Sequence, residues 1–167
     1  PVGKDAGHTP SVTVLMAVHN GAEFLKAKIE NLLTLDYPQD RLRIVVVSDG
    51  STDETEAIAR SFEARGVELM TVPRGGKAVA LNAGLARSGG ELIFFCDVRQ
   101  RIDPRALRHL AANFADPKVG AVTGELRILK PDGAVGEQAD MDLYWRYDLW
   151  VRARHSASRR PFSASSS

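Results

Sequence analysis

The sequence predicts an α/β protein, a mostly parallel sheet flanked by helices. Short apolar runs rich in β-branched residues alternate along the chain with longer segments whose apolar residues recur at helical spacing. The short runs lack the apolar–polar alternation of a strand with one wet face, so they are typical of strands buried on both faces. Hydrophobic residues make up 44% of the 167 residues, which is enough for the core of one domain.

The first part of the chain supplies two strands and two helices. The predicted elements are a loose polar lead-in over 1–10, a strand over 12–18, a helix over 21–35, a strand over 44–47 and a helix from 51 to 66. Leu25, Ile29 and Leu32 form the apolar stripe of the first helix. Ser51 and Glu54 stand three residues apart, as in a capping box at a helix start.

The remainder of the chain continues the alternation. The predicted elements are a strand over 67–72, a helix over 77–87, a strand over 92–96, a helix from 104, a strand over 119–123, a turn at 131–133, a helix over 137–154 and a disordered tail over 155–167. Gly89 and Gly90 end the helix before them. Leu107, Ala111 and Phe114 lie on one helical face. Ser, Arg and Ala dominate the tail, which has no periodicity.

Composition excludes several classes of protein. Lys and Arg total 22 against 21 Asp and Glu, and this balance gives no reason to expect nucleic-acid binding. The single cysteine, Cys96, excludes an intramolecular disulfide and fits a small buried side chain in a strand. No apolar run approaches the roughly 18–20 residues that span a bilayer, and no signal peptide is present. We therefore expect a cytoplasmic setting for this part of the protein.

Polar residues and glycines follow each of the first four predicted strands. They form the segments 19–21, 48–53, 73–77 and 97–99. Ligands of parallel α/β sheets bind beyond the carboxyl ends of the strands, so these segments are the expected ligand edge. A dinucleotide dehydrogenase is excluded because the segment after the first strand lacks the Gly-x-Gly-x-x-Gly pattern.

Three charged residues at this edge have both a ligand-binding and a structural interpretation. Asp49 can accept hydrogen bonds from a base or ribose, or it can cap the next helix together with Ser51. Asp97 can hold Mg²⁺ or Mn²⁺, or it can be a turn aspartate. Lys77, with the backbone N–H groups of Gly75 and Gly76, can meet a diphosphate, or it can be a solvated first-turn lysine.

These segments resemble family 2 inverting glycosyltransferases. The resemblance rests on Val18-His19-Asn20, on Val47-Ser48-Asp49-Gly50-Ser51-Thr52-Asp53, on Gly76-Lys77-Ala78-Val79-Ala80-Leu81-Asn82-Ala83-Gly84 and on Phe95-Cys96-Asp97. It implies a GT-A fold over residues 11–154, a nucleotide-diphosphate sugar donor, usually a UDP-sugar, and a divalent metal. The positions it places at the nucleotide-sugar are Val18, His19, Asn20, Asp49, Ser51, Lys77, Asn82 and Arg99, with Asp97 as metal ligand.

Two residues depart from the family pattern. Arg99 stands where the second acid of the Asp-x-Asp metal motif is expected, and an arginine cannot ligate a cation. Either Asp97 holds the metal together with the diphosphate, or Arg99 neutralises part of the phosphate charge. His19 replaces the commoner Tyr and is open to two interpretations, a ring that stacks on a base or a packing residue.

The resemblance implies that the family's catalytic base and its acceptor segment follow the region of Tyr144 and Trp145. No Gln-x-x-Arg-Trp motif is found in this sequence, and the catalytic residues are therefore unknown. Glu125 is an acid that can approach the site, more readily as a structural or donor-side residue. We expect a C-terminally truncated GT-A domain whose intact parent takes a glycan or lipid-linked acceptor, with the inner face of the membrane as its location if flanking segments anchor it.

Truncation leads to two further expectations. The aromatic residues of the helix over 137–154, Tyr144 and Trp145 among them, leave an exposed apolar patch, so the chain associates and is inactive in transfer. The alternative function is a nucleotide-sugar-binding module without catalysis, or a non-functional fragment; bound UDP without turnover is the observation that favours the module.

Overall fold

A computed structural model describes residue 5, residues 7–124 and residues 150–152 of the chain. The strands are β1 Val12–Val18, β2 Leu42–Asp49, β3 Val67–Val72, β4 Leu92–Phe95 and β5 Trp150–Arg152. The α-helices are α1 Ala22–Leu33, α2 Thr55–Arg60, α3 Lys77–Arg87 and α4 Ala106–Ala111. Single 3₁₀ turns follow at Gln39–Arg41, Glu63–Arg65 and Ala112–Ala115.

The strands form one sheet in the order β3-β2-β1-β4-β5. The first four strands are parallel: Val12 of β1 lies opposite Leu42 on one side and Leu92 on the other. β5 runs antiparallel to β4, with Trp150 opposite Phe94. The carboxyl ends of β1, β2, β3 and β4 therefore meet at one edge of the sheet, which confirms the predicted α/β fold class.

Helices cover both faces of the sheet. Alternate residues of β1 point to opposite faces, so that Val14 joins the apolar core beneath α1, α2 and α4, whereas Leu15 joins the core beneath α3. α1 buries the predicted stripe, and α4 with the turn after it buries Leu107 and Phe114. Strands covered on both faces explain why their sequences read as continuous apolar runs.

The start of α2 differs from the prediction. The helix begins at Thr55, and its N-cap, Glu54, makes no side-chain capping bond. The Ser51 hydroxyl instead accepts a hydrogen bond from the Asn20 N–H at 3.2 Å, and Asp53 Oδ1 accepts one from the Thr55 N–H at 3.0 Å. The predicted capping box is therefore wrong: the Ser51 side chain binds the loop after β1, and the side-chain bond at the start of α2 comes from Asp53.

Two predicted elements beyond α4 also differ. The predicted strand over 119–123 reduces to a single bridge residue at Thr123, and the Val119 N–H closes a turn onto the Asp116 carbonyl at 3.1 Å. The predicted helix over 137–154 is wrong at 150–152, which form β5. The open edge of β4 offers unpaired backbone groups, and pairing with them overrides helical spacing. The remainder of that helix, the turn at 131–133, Glu125, Tyr144, Trp145, the predicted apolar patch and the tail lie outside the described residues.

Within the described residues, no helix has both the length and the apolar character needed to cross a membrane.

Candidate functional site

An open cleft of about 400 Å³ lies at the carboxyl edge of the sheet. Its lining comes from the ends of β1, β2 and β4, from the loop before α3 and from the first turn of α1. The lining residues are Ala17, Val18, His19, Asn20, Gly21, Phe24, Asp49, Arg74, Lys77, Asp97, Val98 and Arg99. The parallel topology thus brings together side chains from four loops that are far apart in sequence.

The loop after β1 is held against the loop after β2. His19 Nδ1 lies 2.8 Å from the Asp49 carbonyl oxygen, and because a carbonyl can only accept, Nδ1 carries the proton and donates. Asn20 has a φ of 48°, in the left-handed region, and its side-chain oxygen accepts a hydrogen bond from the Thr52 N–H at 2.8 Å. Ser51 contributes through its bond to the Asn20 backbone rather than by lining the cleft.

A second set of bonds fixes the start of α1. Thr55 is buried, and its hydroxyl oxygen accepts a hydrogen bond from the Gly21 N–H at 2.9 Å. Asp53 Oδ2 accepts one from the Ala22 N–H at 3.1 Å. The hydrogen bond from the Thr55 hydroxyl lowers the pKa of Asp53 below its ordinary value despite some opposing desolvation, and the Ala22 N–H adds to the lowering. The first turn of α1 is therefore anchored to the start of α2.

Asp49 is buried beneath the loop that leads into α3. Its side chain is 3% exposed, and Oδ1 accepts a hydrogen bond from the Gly75 N–H at 2.7 Å, while Oδ2 accepts one from the Gly76 N–H at 3.0 Å and pairs with the Arg74 guanidinium. Burial acts to raise the pKa of Asp49, but the Gly75 N–H, the Arg74 charge and the Gly76 N–H outweigh it and lower the pKa. Asp49 is therefore a buried carboxylate that organises the glycine loop.

This arrangement changes the interpretation of the glycine loop. The N–H groups of Gly75 and Gly76, for which contact with a diphosphate was one of two interpretations, both donate hydrogen bonds to Asp49. Their direct contact with phosphate is not supported in this conformation. Asp49 also borders the cleft, where its contact with a nucleoside stays a prediction.

The charged groups on the opposite side of the cleft surround Asp97. Lys77 Nζ lies 3.2 Å from Asp97 Oδ2, and the lysine side chain is 56% exposed. Asp97 Oδ1 accepts a hydrogen bond from the Arg99 N–H at 3.0 Å. The Arg99 guanidinium lies over the Phe24 ring, 5.5 Å from its centroid. Two cationic side chains, those of Lys77 and Arg99, therefore lie near the Asp97 carboxylate in the cleft.

A divalent cation in this cleft needs oxygen ligands. Among the described residues, no three His, Cys, Asp or Glu side chains are grouped closely enough to hold a metal ion. Mg²⁺ in proteins is commonly held by one or two carboxylates together with substrate phosphates and water. Asp97 fits such a site if a bound diphosphate supplies the remaining oxygens, with Lys77 giving up its contact.

Most of the residues that the sequence predicts for the site line the cleft. Asn82 lies in α3 and is not among the lining residues. Five lining residues were not among the predicted site residues: Ala17, Gly21, Phe24, Arg74 and Val98. Arg74 is the second residue after β3 and lies inside the predicted segment 73–77, so the rule that located Asp49 and Asp97 also covered it. Phe24 has the spacing of an ordinary exposed helix residue.

The sequence is similar to known proteins of one family. The model of the family described as glycosyl transferase family 2 matches residues 13–160. The chain belongs to glycosyltransferase family 2. The Probable glycosyltransferase YdaM of Bacillus subtilis is 34% identical over 127 residues, which cover 72% of this chain and 30% of YdaM. The poly-beta-1,6-N-acetyl-D-glucosamine synthase of Staphylococcus aureus strain COL is 32% identical over 129 residues, covering 75% and 31%.

A solved structure shows the same fold. The mannosyltransferase PcManGT from Pyrobaculum calidifontis, in complex with GDP-Man and Mn²⁺, superposes with a TM-score of 0.69 at 33% identity, covering 78% of this chain and 39% of PcManGT. The GT-A fold expected for a family 2 glycosyltransferase is therefore confirmed. The chain spans about a third or less of the length of the curated relatives it matches.

Proposed function

We propose that the cleft is the donor site of an inverting glycosyltransferase that takes a nucleoside-diphosphate sugar, with UDP as the expected nucleotide. The observation that carries the proposal is the convergence of Asp49, Lys77, Asp97 and Arg99 on one cleft at the sheet edge of a family 2 chain. The GDP-Man bound to PcManGT supports a nucleotide-sugar donor.

The two sides of the cleft suit the two ends of such a donor. Lys77 and Arg99 carry positive charge that can meet the diphosphate, and arginine can do so with two parallel hydrogen bonds. Val18, His19 and Asn20, beside Asp49, form the side assigned to the nucleoside. The His19 ring has Nδ1 bound to the Asp49 carbonyl, which leaves its face and Nε2 for a ligand.

The metal assigned to this site is Mg²⁺ or Mn²⁺, held by Asp97 and the donor's phosphates. The Mn²⁺ bound to PcManGT supports this assignment. When bound, such an ion stabilises the charge of the departing nucleoside diphosphate. Lys77 and Arg99 add to that stabilisation from the protein side.

Transfer with inversion takes place in one displacement. The acceptor hydroxyl gives its proton to a general base and its oxygen bonds to the anomeric carbon, while the bond from that carbon to the phosphate oxygen breaks. The base is not assigned to a described residue. We further propose a glycan or lipid-linked acceptor for the intact protein, and the polysaccharide named for the staphylococcal relative supports a glycan. The proposed location of the intact protein is the cytoplasmic face of the membrane.

A thermal-shift screen of the full 167-residue chain with UDP, GDP and dTDP sugars, each with and without Mn²⁺, tests the donor assignment. We expect the largest rise in the unfolding midpoint with a UDP-sugar and Mn²⁺, because a ligand that binds the folded state alone stabilises it. A chain that responds to none of these donors contradicts the proposal.

Replacing Asp97 by asparagine is expected to abolish the enhancement of UDP binding by Mn²⁺ and to leave metal-free UDP binding nearly intact. A neutral amide is a poor ligand for a hard cation, whereas Lys77 and Arg99 remain available to the diphosphate. Calorimetric titration of UDP with and without Mn²⁺ measures the effect, with Asp103→Asn as the matched exposed control. If Asp97→Asn keeps the full metal effect, Asp97 is a turn residue.

Replacing Arg99 by alanine is expected to weaken UDP binding by about tenfold and uridine binding by less than about twofold, since a hydrogen bond to a charged group is worth roughly 1.5–3 kcal/mol. Arg101→Ala, an exposed arginine two residues further along, is the control. Equal losses for UDP and uridine remove Arg99 from the diphosphate side of the cleft.

A further inference from the structure

Helix α1 buries a lysine at a position where the helical spacing favours an apolar residue. Lys28 lies on the same stripe as Leu25, Ile29 and Leu32, and it is 3% exposed. Burying an ammonium group is unfavourable unless it is compensated by hydrogen bonds or an opposite charge. Core packing alone therefore does not account for a lysine here, and its charged end needs a specific partner.

The partner lies in the turn that follows β4. Lys28 Nζ donates a hydrogen bond to the main-chain oxygen of Gln100 at 2.7 Å. Gln100 in turn closes the turn on Asp97, because its N–H donates to the Asp97 carbonyl at 3.3 Å and its side-chain oxygen accepts from the Asp97 N–H at 3.4 Å. The ammonium thus holds the far end of the turn whose first residue is the proposed metal ligand.

Two neighbours of Lys28 on α1, Phe24 and Asn31, extend the contact with the chain after β4. One turn earlier, Phe24 lies beneath the Arg99 guanidinium. One turn later, the Asn31 side chain donates to the Ile102 carbonyl at 2.9 Å and accepts from the Ile102 N–H at 2.8 Å. Phe24, Lys28 and Asn31 stand at positions i, i+4 and i+7 of α1. They contact Arg99, Gln100 and Ile102 in that order.

We propose that Lys28 is a positioning residue of the donor site: through the Gln100 carbonyl it holds the turn that presents Asp97 and Arg99 to the diphosphate of the donor. The proposal rests on the function proposed above. Hydrogen bonds to a phosphate weaken steeply when donor and acceptor are misaligned, so a loosened turn lowers affinity without removing any contacting group.

The stem and the ammonium of Lys28 have separate roles in this arrangement. The alkyl stem is buried on the same stripe of α1 as Leu25 and Ile29, as the stem of a long cationic side chain can be. Methionine preserves that packing and removes the ammonium. A substitution that keeps the core and loses the contact with the turn is therefore available.

The test is calorimetric titration of UDP and of uridine, with Mn²⁺ present, into the full chain and its Lys28→Met variant. Lys26→Met, an exposed lysine of the same helix, is the matched control. We expect Lys28→Met to lose about tenfold in UDP affinity and less than about twofold in uridine affinity, the scale of one hydrogen bond to a charged group. The thermal midpoint stays close to that of the unaltered chain.

An equal loss for both ligands, or no loss for either, overturns the positioning role of Lys28. Should Lys28→Met fail to fold, Asn31→Ala provides the same comparison from the next turn of α1, and a folded Asn31→Ala that binds UDP as well as the unaltered chain overturns it too. An unaltered chain that shows no preference for UDP over uridine contradicts the proposed function itself, and the inference with it.

Discussion

Replacing Asp49 by alanine is expected to weaken UDP binding by about 1–3 kcal/mol and to lower the free energy of unfolding by a similar amount, the scale of leaving buried hydrogen-bond partners unpaired. The substitution strands the N–H groups of Gly75 and Gly76 and removes the counter-ion of Arg74. The loop that carries these groups into α3 also places Lys77 at the cleft, so binding and stability fall together.

Calorimetric titration with UDP and chemical denaturation measure the two effects, with Asp40→Ala, an exposed aspartate of the turn before β2, as control. Asp49→Asn separates the contributions, because it keeps one oxygen acceptor and loses the charge that pairs with Arg74. UDP affinity and stability unchanged in Asp49→Ala contradict the role of Asp49 in organising the loop.

The same carboxylate makes stability depend on pH. The folded state lowers the pKa of Asp49, so its contribution is fully present above the ordinary aspartate pKa of about 4 and is lost as pH falls through the folded value. Unfolding free energies measured at successive pH values below about 5 are expected to fall less steeply for Asp49→Asn than for the unaltered chain. Parallel slopes contradict the assignment.

Gly50→Ala is expected to cost more than the strain of its backbone alone. Gly50 has a φ of 59°, and a Cβ there lies 2.7 Å from the Arg74 backbone nitrogen and 3.0 Å from its Cα. Left-handed strain contributes about 1–2 kcal/mol, and the clash with backbone adds further destabilisation because the Arg74 loop must move. We therefore expect a loss of about 3 kcal/mol in unfolding free energy together with weaker UDP binding.

Gly66→Ala is the matched control for this substitution. Gly66 also has a positive φ, 83°, but a Cβ at this position meets no atom within 4 Å. Thermal and chemical unfolding of the two variants isolate the clash from the strain, and UDP titration shows whether the loop has moved. Equal destabilisation of the two variants, with unaltered UDP affinity in Gly50→Ala, contradicts the close packing of the Arg74 loop on Gly50.

The fold was predictable where each strand and helix is determined by its own residues. The strand at 67–72 and the helix at 77–87 match the structure because a buried apolar run and a glycine-bounded helix are local signals. β5 was not predictable, since a three-residue strand forms only because the edge of β4 is there to pair with it. The predicted capping box was wrong for the same reason: the Ser51 hydroxyl accepts a hydrogen bond from the Asn20 N–H, in the loop after β1, which is distant in sequence.

The candidate site, too, was predictable only in part. Asp49 and Asp97 were located from sequence because the topology of a parallel sheet fixes where strands end. The burial of Asp49 under the glycine loop and the contact of Lys28 with Gln100 depend on three-dimensional approach of residues 26 or more positions apart. The sequence does place Lys28 within the apolar stripe of α1, which indicates that its ammonium needs a partner. It does not indicate that the partner is the Gln100 carbonyl.

Hydrogen exchange of the full chain with and without UDP and Mn²⁺ tests the central claim most directly, that this cleft holds the nucleotide diphosphate. Bound ligand is expected to slow exchange in the loops that follow β1, β3 and β4, at residues 19–21, 74–77 and 97–100, because each lines the cleft or organises it. The amino-terminal ends of β1 and β4, around Ser11 and Glu91, are expected to exchange at an unaltered rate. Protection at these amino-terminal ends instead, or no protection of the three loops at saturating UDP, contradicts the assignment of the cleft.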